Sequence, residues 1–538
     1  MLILRAHRLV AVLASGSVLA LTMGAAVAAG DGDLVQPIDF SHNVLDAPAP
    51  VTSAVFGSGS AEKIGTPICS TQATNDANVN VSCEHNTPHN ETSIAVNPTD
   101  ASNILAGAND YQLALNPGGH VSETLRSRAH VSFDGGKSWT EYPVNSNAAY
   151  QATGDPSVAF DASGHAYYGT LGFRFVGPTN AQSPDVIVSN SGDGGRSWRT
   201  AVITRGSGVF SSVGSLNDKP YVAAWGNGNA LITWDLFADG PKGITKDVRI
   251  WASVTHDFGA TWSTPSIISG SLDQSFVPYP TVTSNGRVFV GFLNTTDLQT
   301  GRDDFEVVEL SPATGHVLGA PIKIATLIDG ATDYPIALGR QTYQDSLFRS
   351  WAAGSITADP AHNGHLAVIW SDMRNSTTPA NPDPYVAKTN SDVVVSQSVD
   401  YGHTWSAPAA LALSNDQFMP WGTYDTSGRL RIGFFDRSYD SANHKYGYTL
   451  ATETASGALT FTYSQLTTAL SDPTQGDRWF AATLNTGFPH ATSFIGDYSN
   501  VAPTPSGGVV ALWTDLREQA TFAGATRSAE DAYYATAP

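Results

Sequence analysis

The residue types best suited to chemistry in this sequence are carboxylates, arginines and aromatic side chains that recur at matching places of a repeated pattern. The candidates for proton transfer and nucleophilic attack are Glu91, Asp155, Asp218, Asp497 and Tyr498. The candidates for substrate binding are Arg374, Arg437 and Arg517, their neighbours Asp372, Asp436 and Asp515, and the tryptophans Trp351 and Trp421. Carboxyl groups transfer protons, guanidinium groups pair with anions, and aromatic rings stack on sugar faces. Together these residues indicate a site for a glycan.

Internal repeats determine where these residues lie. The clearest copies, residues 276–294 and 418–436, align without a gap. Taking one marker position from each copy gives seven repeats, at Glu91, Asp155, Lys219, Tyr279, Trp351, Trp421 and Asp497. The fifth and seventh copies are irregular, so six repeats stay open as an alternative. A chain of this length would by default have two domains, but internal repetition changes that expectation.

Each repeat reads as four short strands separated by turns. In the second repeat the strands are residues 155–160, 165–170, 185–189 and 198–204. Four antiparallel strands per repeat are the blade of a β-propeller. We therefore predict an all-β propeller with seven four-stranded antiparallel blades. The last repeat lacks a fourth strand, and we expect a strand within residues 33–65 to complete it and close the ring.

Four turns share the pattern Ser/Thr-x-Asp-x-Gly-x-Ser/Thr-Trp, at residues 132–139, 191–198, 255–262 and 398–405. The Asp carboxylate can accept hydrogen bonds from turn amides, the Gly adopts a backbone angle that other residues avoid, and the Trp packs beneath. This pattern is identified as the Asp-box. The chain resembles the bacterial secreted Asp-box (BNR-repeat), sialidase-like β-propellers over nearly all of its length after the leader. In such a blade the Asp-boxes mark one face, and the candidate residues lie at the opposite, channel face.

The resemblance implies a secreted glycoside hydrolase acting on an extracellular glycan. Sialidases use an Asp as acid and base, a Tyr–Glu nucleophile pair and three arginines that bind the substrate carboxylate. Asp155, Asp218 or Asp497 would be the acid or base, and Glu91 or Tyr498 would serve the nucleophile. The family's first arginine lies in an Arg-Ile-Pro motif that this sequence lacks. Arg374, Arg437 and Arg517 would have to replace that cluster.

Two other functions stay open beside hydrolysis. A polysaccharide lyase on the same scaffold would use Tyr498 or His89 as the base beside a uronate carboxylate. A non-catalytic propeller would bind glycan or protein through its channel face, because one fold hosts many functions. Each residue also has a structural alternative: the Asp/Arg pairs can tie neighbouring blades together, and Trp351, Trp421 and Tyr279 can pack within blades.

Bulk properties narrow the partners and the compartment. The net charge of −20 and pI of about 4.9 argue against nucleic acid or anionic membrane as partners. Residues 1–28 read as a secretory signal, residues 29–85 as an N-terminal segment and residues 86–538 as the propeller. In an oxidising compartment we expect Cys69 and Cys83 to pair, with two reduced thiols as the alternative. We expect a secreted monomer without a cofactor, although Asp- and Asn-rich loops at residues 302–304 and 381–383 could bind Ca²⁺.

Overall fold

The computed structural model shows seven antiparallel sheets arranged as the blades of a β-propeller, which confirms the predicted fold. It describes residues 63–84, 87–115, 121–145, 150–176, 180–181, 183–209, 213–239, 245–297, 300–337, 340–346, 349–350, 352–376, 387–411, 413–473, 495–522 and 525–538. The innermost strands of consecutive blades contact one another in order, and blade 7 contacts blade 1. In these residues, no helix is long and apolar enough to cross a membrane.

The strands of each blade follow one another from the channel outwards. Blade 1 contains His89–Val96, Ile104–Leu115, Val121–Ser132 and Thr140–Pro143, with Cys69–Ser70 added at its outer edge. Blade 2 contains Ala152–Phe160, Ala166–Phe173, Asp185–Ser191 and Arg199–Thr204. Blade 3 contains Val213–Trp225, Asn229–Asp239, Thr245–Thr255 and Ser266–Ile267, with Gly208–Val209 paired to its innermost strand. Blade 4 contains Ser275–Val282, Val288–Asp297, Arg302–Leu310 and Ile322–Thr326.

The remaining blades follow the same plan. Blade 5 contains Ser355–Ala358, Leu366–Asp372, Asp392–Ser398 and Ala409–Ala410. Blade 6 contains Gln417–Tyr424, Leu430–Asp436, Gly447–Glu453 and Phe461–Gln465. Blade 7 contains Asn500–Pro503, Val509–Asp515, Asp531–Ala537 and Val79–Asn80. Short two-stranded ribbons are formed by Phe175–Val176 with Asn180–Ala181, Ile336–Ala337 with Arg340–Gln341, and Gln519–Phe522 with Ala525–Ser528.

The ring is closed by a strand from the N-terminal segment, as predicted, but at a different place in the sequence. Val79 and Asn80 pair with Tyr534 and Tyr533 and provide the fourth strand of blade 7. The expected position within residues 33–65 was wrong, and residues 33–62 of that range lie outside the described residues. The disulfide between Cys69 and Cys83 is present, with a Cα–Cα distance of 5.9 Å. It links this closing segment to the strand that extends blade 1.

Strand composition follows from the position of each blade between two neighbours. The third strand of blade 5, Asp392–Ser398, has three consecutive valines and is buried along its whole length. Both faces of this strand are covered by adjacent blades, so it lacks the alternation of apolar and polar residues seen in a half-exposed sheet. Serines of the innermost strands add polar links between blades. The hydroxyls of Ser93, Ser157 and Ser355 accept hydrogen bonds from backbone amides of the next blade at 3.0, 2.9 and 2.9 Å.

The four Ser/Thr-x-Asp turns have the hydrogen bonds that their sequence predicts. In each turn the Asp Oδ1 accepts a hydrogen bond of 2.8 to 2.9 Å from the amide four residues later: Ser138, Ser197, Thr261 and Thr404. Burial opposes the change, but hydrogen bonds from the hydroxyl and the amide of that residue lower the pKa of all four carboxylates. The Asn103 side chain, at the turn between the first two strands of blade 1, donates to the Gly194 carbonyl in the turn of blade 2. The two sets of turns therefore share one face of the ring.

Candidate functional site

A bulge in the innermost strands places polar side chains at the channel. Strand pairing shifts by an extra residue in blades 1, 2 and 3, and Glu91, Asp155 and Lys219 lie in these bulges with φ of 52°, 58° and 48°. Val277 and Met419 have the same left-handed conformation in blades 4 and 6. Because two apolar residues share it, the strained backbone is a property of the blade rather than evidence for chemistry.

This register corrects one alignment made from the sequence. The repeat pattern predicted that Tyr279 and Trp421 are equivalent to Glu91, Asp155 and Lys219. In the structure, however, each lies two residues after the left-handed residue of its blade, Val277 or Met419. In blades 1, 2 and 3 the residues two positions after the left-handed residue are Ser93, Ser157 and Tyr221, and these are the equivalents of Tyr279 and Trp421. Tyr279 and Trp421 therefore lie one step further along their strands than the charged residues.

Lys219 is the centre of a buried charge cluster. Its Nζ lies 3.2 Å from Glu91 Oε1, 3.2 Å from Asp155 Oδ2 and 2.7 Å from Asp497 Oδ2. Asp497 also forms an ion pair with Arg349, which binds it through Nε and Nη2. The five side chains are at most 5% exposed. Three of the predicted carboxylates are thus brought together from blades 1, 2 and 7, and two cations that the sequence analysis did not select join them.

Hydrogen bonds orient the carboxylates of this cluster. Asn109 donates to Glu91 Oε2 at 2.9 Å, and its own Oδ1 accepts from the Asp155 amide at 2.9 Å. Asp218 lies next to the cluster, where its Oδ1 accepts from the Lys219 amide at 3.0 Å. Its other oxygen, Oδ2, is buried and has no hydrogen-bond partner among the described residues. Asn109 and Asp218 therefore connect the channel charges to the strands that carry them.

Burial and charge displace the pKa values in this cluster in opposite directions. Burial raises the pKa of Glu91 well above its usual range, and the neighbouring Asp155 carboxylate raises it further. Burial also raises the pKa of Asp218. Burial alone would raise the pKa of Asp497, but Arg349 and Lys219 outweigh it and hold that pKa well below its usual range. The cluster therefore holds two carboxyl groups around one ammonium, and their pKa values are displaced in opposite directions.

Aromatic side chains from four blades pack beside the charges. The Tyr221 ring centroid lies 4.6 Å from that of Tyr279, 6.0 Å from Trp421 and 5.6 Å from Tyr498. The three tyrosines are buried, whereas Trp421 is partly exposed. Tyr498 donates a hydrogen bond to the Pro156 carbonyl at 3.3 Å. Of the predicted aromatic platforms, Trp421 lies next to this group, and Trp351 is outside the described residues.

Arg374 and Arg517 form the same local clamp in blades 5 and 7. Arg374 Nη2 lies 2.6 Å from Asp372 Oδ2, and Trp370 Nε1 donates to the same oxygen at 2.9 Å. In blade 7, Arg517 binds Asp515 at 2.7 Å, and Trp513 donates to it at 3.0 Å. Each arginine also donates to the preceding blade, to Thr326 in blade 4 or to Thr467 after the last strand of blade 6. These contacts match the structural alternative, in which the pairs tie blades together.

Arg437 is placed differently and does not bind its sequence neighbour. It is fully buried and pairs with Asp416 at 3.2 Å, and it donates to the Gln344 carbonyl at 2.9 Å. Asp436 instead accepts from Gln417, from the Ser438 amide and from Thr449. Among the described residues, the three predicted arginines thus pair with three different carboxylates: Asp372, Asp416 and Asp515.

Other polar groups of interest lie outside the channel cluster. His89 packs in blade 1, 3.6 Å from Asp110, and burial lowers its pKa. Residues 302–304, predicted as a loop that could bind Ca²⁺, instead begin the third strand of blade 4, where the Asp303 carboxylate accepts a hydrogen bond from Thr295 at 2.6 Å and Asp304 pairs with Lys323 at 2.8 Å. Their oxygens are thus already used by protein groups. Residues 381–383 lie outside the described residues.

Comparison with known proteins finds solved structures that share little sequence with this chain. No protein-family model and no curated protein matches the chain. A protein of unknown function from Dyadobacter fermentans is 13% identical, with 86% of this chain and 98% of that chain covered and a TM-score of 0.44. An α-L-arabinanase of Penicillium chrysogenum is 14% identical (67% and 94% covered, TM-score 0.41), and a Hadza microbial sialidase is 11% identical (87% and 95% covered, TM-score 0.41). At these values the likeness carries no activity or substrate over to this chain.

Proposed function

We propose that this protein is a glycoside hydrolase that acts on an extracellular glycan, with Glu91 and Asp497 as its pair of carboxyl groups. The observation that carries the proposal is their opposite displacement in pKa while both contact the Lys219 ammonium. Glycoside hydrolysis needs one protonated and one ionised carboxyl group on either side of the scissile bond. The disulfide fits the oxidising compartment in which such an enzyme would work.

The two carboxyl groups would have distinct roles. Glu91, whose pKa is raised, would donate a proton to the leaving-group oxygen, and Asp497, whose pKa is lowered, would attack or stabilise the positively charged sugar. Both groups contact one nitrogen, so they are too close together to hold a water molecule between them as inverting enzymes do. Their spacing therefore favours retention of configuration. Trp421, the partly exposed ring of the aromatic group, offers a stacking surface for a sugar.

The lyase alternative has less support from the same site. A lyase needs a base that can lose its proton, but burial and the nearby Glu91 raise the pKa of Tyr498 well above its usual range. His89, the other candidate base, contacts Asp110 and His130 rather than the channel cluster. Neither group is thus suited to remove a proton from a uronate.

A non-catalytic binding propeller is the second candidate, and one observation favours it. Glu91 and Asp497 are both 0% exposed, and Lys219 and Arg349 compensate their charge and that of Asp155. A compensated, buried cluster of this kind can serve to tie blades 1, 2, 3 and 7 together. In that case the glycan or protein partner would bind at the exposed rim of the channel.

Product analysis distinguishes these functions. The purified protein is incubated with sialylated and uronate-rich glycans, and the products are measured by mass spectrometry. Products that have gained one water would support the hydrolase if the wild type and Asp400→Asn form them and Glu91→Gln and Asp497→Asn do not. Asp400 is a matched control because its carboxylate serves a surface turn. Unsaturated products would indicate a lyase, and glycan binding without any product would indicate a binding propeller.

A further inference from the structure

The turn between the first two strands of blade 5 brings three metal-binding side chains together. In the sequence Asp359-Pro-Ala-His362-Asn-Gly-His365, both imidazoles direct Nδ1 at the same carboxylate oxygen. His362 Nδ1 lies 2.8 Å and His365 Nδ1 lies 3.6 Å from Asp359 Oδ2. The two rings lie parallel to within 23°, with centroids 5.0 Å apart. Two nitrogens and one oxygen thus converge on one point.

The carboxylate is held in place by its other oxygen. Asp359 Oδ1 accepts hydrogen bonds from the amides of Ala361 at 2.7 Å and His362 at 3.3 Å. The same kind of turn occurs in blades 2 and 6, at Asp161 and Asp425. In blade 2 the second oxygen of Asp161 accepts a hydrogen bond from the Gly228 amide, and in blade 6 that of Asp425 pairs with Arg429 and Arg431. Only in blade 5, among these three turns, does that oxygen face two histidines.

A glycine of the neighbouring blade lies directly beside two of the three donor atoms. Gly428, in the equivalent turn of blade 6, has φ of 77°, and a Cβ at this position would lie 2.7 Å from His362 Nδ1 and 2.8 Å from Asp359 Oδ2. Any other residue would therefore crowd the donor atoms. The Asp359 side chain is fully buried, whereas those of His362 and His365 are 47% and 26% exposed. An ion can thus reach the donors from solvent while the carboxylate stays fixed.

We propose that Asp359, His362 and His365 bind a divalent transition-metal ion of the Zn²⁺ class, with the fourth position open to water. Tetrahedral Zn²⁺ with bonds of about 2.0–2.1 Å sets its ligand atoms roughly 3.3–3.4 Å apart. The observed 2.8 and 3.6 Å lie on either side of that separation. Imidazole nitrogen suits Zn²⁺ and Cu²⁺, whereas Ca²⁺ and Mg²⁺ take oxygen ligands. The site lies on the face of the Ser/Thr-x-Asp turns and does not depend on the proposed hydrolase.

Metal titration of the full-length protein, without a histidine tag and after treatment with chelator, tests the site. Calorimetry with Zn²⁺ is expected to show one equivalent bound. Asp359→Asn keeps an acceptor oxygen for the turn and is expected to weaken binding at least about 100-fold, since even outer-shell partners are worth roughly 10–100-fold. The double variant His362→Ala/His365→Ala should behave alike. His316→Ala and His403→Ala, at exposed single histidines, are the matched controls.

Spectroscopy with Cu²⁺ gives a readout that folding alone would not change. The electron paramagnetic resonance spectrum is expected to show coupling to two imidazole nitrogens in the wild-type protein and to none in the double variant. Thermal unfolding of the metal-free proteins checks that the variants are folded. The proposal is overturned if the wild-type protein binds no Zn²⁺. It is also overturned if Asp359→Asn and the double variant bind as tightly as the controls do.

Discussion

Replacing Lys219 by Met tests whether the channel cluster holds the ring together. Methionine keeps the length of the side chain but removes the ammonium that contacts Glu91, Asp155 and Asp497. Removing one partner of a buried ion pair costs about 3–5 kcal/mol, because an uncompensated charge stays buried. At about 2.1 cal/mol/K per residue, the 453 residues from 86 to 538 give an unfolding entropy of about 1 kcal/mol/K. We expect the Tm to fall by about 3–5 °C at pH 7.

The pH dependence of this change gives a sharper test than its size. Without the ammonium, neighbouring carboxylates raise one another's pKa in the folded state above the unfolded values near 4. The folded variant then binds more protons than the unfolded chain, so its stability relative to wild type rises as the pH falls from about 7 towards 4. In the wild type, Arg349 and Lys219 lower the pKa of Asp497 in the folded state. Ionised Asp497 therefore stabilises the fold above its unfolded pKa, and this stabilisation is lost as the pH falls.

Urea unfolding followed by tryptophan fluorescence at several pH values measures both effects. Lys137→Met is the matched control, because Lys137 is exposed on a turn and its loss should change stability by less than about 0.5 kcal/mol. If Lys219→Met has the same free energy of unfolding as that control at pH 7, and the same pH dependence as the wild type, the cluster does not stabilise the fold as argued.

Three further predictions concern the turns, the disulfide and the clamps. In urea unfolding, Gly136→Ala should destabilise the protein by about 1–3 kcal/mol more than Gly135→Ala. A Cβ at Gly136 would overlap the Tyr534 ring, whereas the Cβ position of Gly135 has open space around it. Equal losses would contradict the packing argument. Replacing Cys69 and Cys83 by Ala should cost about 3 kcal/mol, measured by calorimetry, because the bond closes a short loop; an unchanged Tm would contradict this. Arg374→Met should lower the Tm and leave glycan turnover unchanged, and loss of turnover in folded protein would instead assign it to substrate binding.

Some features of the fold were predictable because their causes are local. The Ser/Thr-x-Asp turns hold the hydrogen bonds that their residues dictate, and strand patterns within each repeat gave the blades. The closing strand was harder to place. Val79–Asn80 has two residues, and its pairing with Tyr533 and Tyr534 is made across the whole chain. So short a segment has no periodicity to read.

The repeat alignment failed at a point where the backbone departs from a regular strand. The bulge lies at the same place in blades 1, 2, 3, 4 and 6, but its left-handed residue is charged in the first three of these blades and apolar in the other two. The copies at residues 276–294 and 418–436 were aligned correctly with each other, but their aromatic residues Tyr279 and Trp421 were matched to Glu91. The left-handed φ of Val277 and Met419 sets the true equivalence. The backbone φ angle decided which residues are equivalent, because the sequence does not indicate a left-handed conformation for residues such as Val277 and Met419.

The sequence by itself determined the blades, the turns, the disulfide partners and a set of polar residues at one end of the channel. The tertiary structure alone decided which of them meet. Lys219 is 128 residues from Glu91 and 278 from Asp497, yet it contacts both. Arg374 and Arg517, in contrast, bind carboxylates two residues away. Contacts around a ring depend on how each blade is rotated against the next, and that rotation results from packing over the whole domain rather than from any local pattern.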